Sequence, residues 1–315
     1  MDLFISTFQS VCVLLGLGFL GFFVISRKIL PEKALGFLSP LALDIALPSL
    51  VFVNILSNFR PADFPFWWTL PLWWLGFTAF TAIMTGALMF ISTKNLRREF
   101  ALSLFFQNAL FFPFAIITGL YGADSKYLVS LFFFVMFFPS LFFSTSHLFF
   151  SGRGKKLRWD RIINNVLIAT LIATFIRLSG LNSYVPGFVL SALHMVGDMA
   201  LPILMIILGG SVYVDFKNKG TLFPWEVAKF VFVKNILFPL TTLACLMLIK
   251  PQYDIALLIL IESAVPPVTA VPIVVERDGG NRNLVNQFMF SSFAFSLLSI
   301  PLLVSIFNSC FPVLR

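Results

Sequence analysis

The chain has 315 residues, of which 59% are hydrophobic, 11% are charged and 41 are Phe, with a mean hydropathy of +0.95 and a formal net charge of +8. Soluble domains carry roughly 25% charged residues, so this composition excludes a water-soluble enzyme or binding module and requires a bilayer. The positive balance does not imply a nucleic-acid partner, because the basic residues gather in short loops between apolar runs.

Apolar stretches of about 20 residues, enough to cross roughly 30 Å of hydrocarbon at 1.5 Å per residue, occur ten times, at 3–26, 35–57, 66–92, 99–121, 127–150, 162–180, 189–213, 225–249, 254–276 and 284–310. Continuous runs of this length predict helices, since a backbone in lipid has to satisfy its own amides. Loops after the odd-numbered spans hold fifteen Lys and Arg, including the run Arg153 to Arg161, and loops after the even-numbered spans hold five. Basic loops stay in the cytoplasm, so both termini are expected outside a bacterial inner membrane. Nothing before Phe4 has the positive start of a cleavable signal peptide, and the first span is expected to remain. Trp67, Trp68, Trp73 and Trp74 are expected at the outer interface, and Trp159 and Trp225 at the inner one. Cys12, Cys245 and Cys310 show no disulfide or metal spacing, and His147 and His194 read as core or interfacial histidines.

Residues 44–50 read Asp-Ile-Ala-Leu-Pro-Ser-Leu and residues 198–204 read Asp-Met-Ala-Leu-Pro-Ile-Leu, 154 residues apart. The same spacing carries Asn108 onto Glu262 and Pro113 onto Pro267. Two copies of one unit, 1–155 and 156–315, follow, and five spans per copy make the second copy enter from the opposite face. The expected fold is an all-α integral membrane protein of ten transmembrane helices, arranged as two inverted five-helix repeats. Pro113 in the fourth span and Pro266-Pro267 in the ninth remove backbone donors and crowd the preceding turn, so both helices are expected to be discontinuous and to cross at mid-membrane. Unwound backbone survives there only inside protein or beside a wet cavity. Amino ends of the second halves, near Phe114 and Ala115 and near Val268 and Thr269, would turn partial positive charge toward one cavity and favour an anion.

The segment Gly16 to Phe59 contains Arg27-Lys28-Ile29-Leu30-Pro31-Glu32-Lys33-Ala34, Leu38-Ser39-Pro40-Leu41 and Ala46-Leu47-Pro48-Ser49-Leu50-Val51-Phe52. It resembles the first two helices of the auxin efflux carrier family. Leu201-Pro202-Ile203-Leu204, Leu208-Gly209-Gly210, Lys234 with Pro239, and Glu262-Ser263-Ala264-Val265-Pro266-Pro267 resemble that family's second half. The fourth span departs from the family pattern: it keeps Asn108 and Pro113 but has bulky Phe111 and Phe112 between them. The resemblance implies a scaffold domain, a crossover domain that moves as an elevator, and small organic anions as cargo, among them auxin in plants and dicarboxylates in bacteria. The fold it implies is similar to that of the bile acid sodium symporters. There an Asn and a Glu of the two crossover helices help hold sodium, and Asn108 and Glu262 stand at comparable places.

The expected substrate contacts are Asn108, Phe112, Pro113, Phe114, Ala115, Pro266, Pro267, Val268 and Thr269, and the expected ion-coupling residues are Glu262, Asn108, Asp44 and Asp198. A carboxylate deep in a membrane helix marks a pathway by default, although Glu262 could instead be a protonated carboxyl bonded to carbonyls freed at the Pro266 kink. Asn108 can ligate sodium or cap the break. Asp44 and Asp198 can serve transport, or can bond backbone that Pro48 and Pro202 free. Lys234 can neutralise Asp198 or Glu262, attract the anion, or snorkel toward the cytoplasm. Asn54 reads as interhelical glue. No cofactor is expected beyond Na+ or H+ as a coupling ion, and a uniport driven by the membrane potential, with no coupling ion, is also open. The lack of mid-span Arg leans toward a monocarboxylate or amphipathic anion over a dicarboxylate. Three classes are compared: a secondary carrier, a transporter-like receptor signalling through the loop at Gly152 to Arg161, and an intramembrane enzyme. The last finds no zinc pair, catalytic Asp pair or Ser–base motif. Partners reduce to the anion and the bilayer, and the oligomeric state is open between a monomer and a homodimer.

Overall fold

The computed structural model describes residues 2–122, 125–150, 162–217 and 221–311. Among these residues no β-strand is present, and the helices follow one another as α1 (Asp2–Ser26), α2 (Ala34–Asn58), α3 (Leu70–Leu88), α4 (Arg97–Phe105), α5 (Phe111–Tyr121), α6 (Lys126–Phe134), α7 (Phe138–Thr145), α8 (Asn165–Leu178), α9 (Gly187–Asp198), α10 (Ala200–Lys217), α11 (Pro224–Ile249), α12 (Tyr253–Ala264), α13 (Val271–Arg277) and α14 (Arg282–Cys310). Among the described residues seven segments are long and apolar enough to cross a membrane: Phe4–Ser26, Ala34–Asn58, Trp67–Ile91, Lys126–Phe149, Gly187–Val214, Pro224–Ile249 and Arg282–Cys310. Phe111–Tyr121 and Asn165–Leu178 are shorter apolar helices. The basic run from Arg153 to Arg161, with Trp159, lies outside the described residues.

Prolines shape these helices in two ways. In α2 a π-helical stretch, Leu41–Ala46, ends two residues before Pro48, and in α11 another, Val233–Leu237, ends two residues before Pro239. A wide turn of this kind accommodates a proline by relieving its clash with the preceding turn while the helix continues. Elsewhere the chain breaks. The fourth predicted span divides into α4 and α5 and the ninth into α12 and α13, with 106–110 and 265–270 outside helix. Two further interruptions escape a reading by hydropathy, at Val135–Phe137 ahead of Pro139 and at Met199 between α9 and α10.

Packing sorts the helices into two groups. α1 lies along α10, and α2 packs on α8 and α9; α3 through α6 pack with α11 through α14, α7 lies against α8, α1 also meets α5 and α14, and α2 also meets α6. The contact of α1 with α10 needs glycine on both sides, because a Cβ on Gly209 would overlap the Gly18 carbonyl and one on Gly21 would overlap Ile206 backbone. In the second group Phe230 and Phe288 stack at 4.4 Å with Phe100 edge-on to both, tying α4, α11 and α14 together. At the ends of the same helices Glu226 accepts from Ser92 Oγ and Thr93 Oγ1, each at 2.7 Å, and from Lys229 Nζ at 2.8 Å, while Glu99 Oε1 accepts from the Asn281 amide at 2.9 Å.

Candidate functional site

The two breaks meet each other. Phe106 and Val265 leave their helices in extended conformation, and the segments that follow pair antiparallel through a single bridge between Gln107 and Pro267. The Asn108 amide donates to the Pro266 carbonyl at 2.8 Å, and the Val268 amide donates to the Phe106 carbonyl at 2.9 Å. Pro266 and Pro267 have no N–H to lose in this arrangement. The pairing uses only the amides that exist, which is how non-helical backbone can persist deep inside the protein.

Asn108 is 1% exposed, and its Oδ1 accepts from the Phe111 amide at 3.2 Å, capping the start of α5. Since that amide needs an acceptor, the hydrogen bond also fixes the side-chain orientation. Asn108 Nδ2 is then a buried donor with no partner among the described residues, as is the indole Nε1 of Trp74. Ser103 Oγ, Gln107 Oε1 and both carboxyl oxygens of Glu262 are likewise buried and unmatched. Buried polar atoms are almost always paired in native proteins, so a cluster of exceptions asks for an explanation such as a ligand or water. Trp74 and Gln107 line one side of a small void, with Thr78, Thr81 and Phe106, that has room for about one water molecule.

Glu262 is 0% exposed and faces the Gln107 side chain and Lys234. Lys234, also 0% exposed, sits in the π stretch of α11 and donates through Nζ to the Ser263 carbonyl at 3.1 Å, in the last turn of α12. Its Nζ is 5.0 Å from the centre of the Phe238 ring. Of the two partners that the sequence leaves open for Lys234, the structure brings Glu262 to it and not Asp198.

The remaining expected residues divide. Pro266, Pro267 and Val268 lie at the crossing with Asn108, and Thr269 follows at half-buried depth. Pro113 stands in the first turn of α5, after the break instead of in it. Phe112 packs edge-on against Phe293 at 4.7 Å, Phe114 lies against Phe132, and Ala115 is half-buried one residue further on. The helices end at Phe105 and Ala264, 159 residues apart, and restart at Phe111 and Val271, 160 apart. The spacing of 154 therefore does not carry one break onto the other. Counted from the ends of the broken helices, Glu262 stands where Ser103 does and Pro113 where Pro272 does.

Asp44 and Asp198 are not at the crossing. Asp44 is exposed beside Asn165, whose Nδ2 lies 3.3 Å from its carbonyl and 3.5 Å from its carboxylate. Asp198 is exposed and bonded to His194 Nδ1 at 2.9 Å. Neither carboxylate bonds the backbone near its proline, and His194 is an exposed partner of an acid instead of a core residue. Trp74 is 2% exposed and turned inward, unlike Trp68, because its place on α3 faces α6 and the crossing. Asn54 bonds within its own helix, to the Leu50 carbonyl, and does not join helices. Ser103, Gln107 and Trp74 are the buried polar groups that sequence reasoning passed over. Gln107 has a legible signal, an amide next to Asn108 in an apolar span, whereas Ser103 and Trp74 have none. Among the described residues no group of three His, Cys, Asp or Glu could hold a metal.

No curated protein matches the chain. The sequence model of a family described as membrane transport protein, the auxin efflux carrier family, matches residues 6–160 and again residues 153–304. With nearly the whole chain matched and multiple apolar helices spanning it, the protein belongs to this family of multi-pass membrane transporters.

Proposed function

We propose that the protein is a secondary carrier of small organic anions that binds a carboxylate at the crossing of α4–α5 with α12–α13 and releases it alternately to the two faces. The observation that carries this reading is Asn108: its oxygen is committed to capping α5, which leaves a buried pair of N–H donors at the crossing beside the amino end of that helix. Donors and a helix amino terminus together favour negative charge. A monocarboxylate or amphipathic anion suits the site better than a dicarboxylate, because the polar set is small and the residues buried around it are largely apolar. An elevator displacement of α3–α6 and α11–α14 against the other helices is supported by the way packing sorts the helices. The distribution of Lys and Arg supports a bacterial inner membrane with both termini outside.

The test is a melting-temperature screen of the purified protein against monocarboxylates and dicarboxylates, followed by flux of the stabilising acids in proteoliposomes against protein-free vesicles. Stabilisation by monocarboxylates with saturable flux is the expected result. Stabilisation without flux makes the protein a receptor, and stabilisation by organic cations alone removes the anion reading.

A further inference from the structure

The loop between α1 and α2 reads Arg27-Lys28-Ile29-Leu30-Pro31-Glu32-Lys33 and joins two membrane segments, so it sits where a bilayer meets water. Arg27, Lys28 and Lys33 are exposed, and among the described residues no carboxylate pairs with any of them. Glu32, the acid of this loop, is taken by Lys217 at the end of α10, Nζ to Oε1 2.8 Å. The loop after α13 is different: there Asp278 pairs with Arg277 and Glu276 with Arg282. A basic loop fixes topology by its count of Lys and Arg, which does not require its cations to stay unpaired.

Apolar side chains stand exposed at the same level. Ile29 in the loop is 62% exposed, Phe37 in the first turns of α2 80%, and Phe216, next to Lys217, 78%. The backbone that carries the cations is fixed. The Ile29 amide donates to the Val24 carbonyl and the Lys28 amide to the Ile25 carbonyl, both at 3.0 Å, with Lys28 in the left-handed region at φ 57°. That closure ends α1, and the Lys217–Glu32 pair holds the loop beside α10. The Arg27 guanidinium lies 5.6 Å from the centre of the Phe23 ring, which limits its range as well.

We propose that this loop is a binding site for an acidic phospholipid, with Arg27, Lys28 and Lys33 taking the headgroup phosphate and Ile29, Phe37 and Phe216 lying against the acyl chains. A guanidinium matches phosphate with two parallel donors. Each Lys or Arg near an acidic membrane surface strengthens attraction about fivefold. A zwitterionic lipid brings its own cation, which three unpaired positive charges repel, so the loop selects net negative headgroups. Its elements all belong to the group of α1, α2 and α8–α10, and a bound lipid ties that group to one leaflet whatever the protein carries.

The purified full-length protein is melted in neutral detergent with rising amounts of dioleoylphosphatidylglycerol or dioleoylphosphatidylcholine. Half of the maximal stabilisation is expected at about tenfold less phosphatidylglycerol than phosphatidylcholine. Arg27→Gln with Lys33→Gln breaks no ion pair and is expected to melt like the parent without lipid, yet to need about tenfold more phosphatidylglycerol. Lys94→Gln with Arg98→Gln removes two exposed charges from the segment before α4 and is expected to respond to lipid as the parent does. Equal responses of the parent to both lipids, an unchanged response of the first variant, or an equal loss in both variants would overturn the proposal. Inorganic phosphate is expected to leave melting unchanged; stabilisation by phosphate that matches phosphatidylglycerol would make the loop a site for small anions and overturn the lipid assignment.

Discussion

Two substitutions at Asn108 test its two jobs. Its Oδ1 caps α5 through the Phe111 amide, and its Nδ2 is the unmatched donor at the crossing. Asn108→Ala removes both. Loss of a cap costs about 1 kcal/mol, which in a chain of this size lowers the melting temperature by about 2–4 °C. Asn108→Asp keeps the capping oxygen and the shape but places a carboxyl at a site 1% exposed, and the desolvation of that group should lower its melting temperature at least as far as Asn108→Ala does. Both variants lose the N–H pair. A hydrogen bond to a charged group contributes about 1.5–3 kcal/mol, so affinity for a stabilising monocarboxylate should fall about 10- to 150-fold. Asn108→Asp should fall at least as far as Asn108→Ala, because it adds a like charge. The assay is a ligand titration of melting temperature on the two variants and the parent. If Asn108→Asp binds the acid as tightly as the parent does, the donors are not the anion contact and the proposed binding mode fails.

Three further outcomes follow from the packing and the surface. Gly209→Val places a side chain into the Gly18 carbonyl and should destabilise by about 1–3 kcal/mol, whereas Gly76→Ala, with open space around it, should melt like the parent; equal melting of both would discount the close contact of α1 with α10. Glu226→Gln weakens the bonds from Ser92, Thr93 and Lys229 that join the start of α11 to the segment before α4, and should cost about 1–3 kcal/mol, read as faster proteolysis between α3 and α4 and a lower melting temperature. The hydrogen bond from Lys217 to Glu32 and the charge of that carboxylate hold the Lys217 ammonium above its ordinary value of 10.5. A raised lysine contributes fully below its unfolded value and loses that contribution only as pH rises through the folded one, so stability should not vary through this pair between neutral and mildly alkaline pH. Both groups are exposed, and Glu32→Gln should leave the melting temperature unchanged across that range; a pH-dependent difference from the parent there would contradict the assignment.

Much of the architecture is legible before any coordinates. Long apolar runs have to be helices because lipid offers no partner to a free amide, and among the described residues the apolar runs are helical, seven segments being long and apolar enough to cross a membrane and two runs being broken where prolines and amides interrupt the apolar pattern. The breaks at Val135–Phe137 and Met199 were not legible, since apolar composition continues through them and the change of direction depends on what packs alongside; at Gly197, for example, a Cβ would come within 2.8 Å of the Leu50 Cα. Asp44 and Asp198 stand out in sequence because charge is scarce, but scarcity does not reveal which way a side chain faces, and both are exposed.

What the residues alone determine is the membrane environment, the helical class and the carrier family, because these follow from hydrophobic length, proline chemistry and local motifs. Which polar groups meet was decided only in three dimensions. Gln107 and Pro267 are 160 residues apart and pair because two unwound segments share one buried layer. Lys234 reaches the Ser263 carbonyl because the π turn in α11 packs beside the end of α12. No local pattern encodes either contact, since each depends on a charge or amide finding its partner across the packed helices.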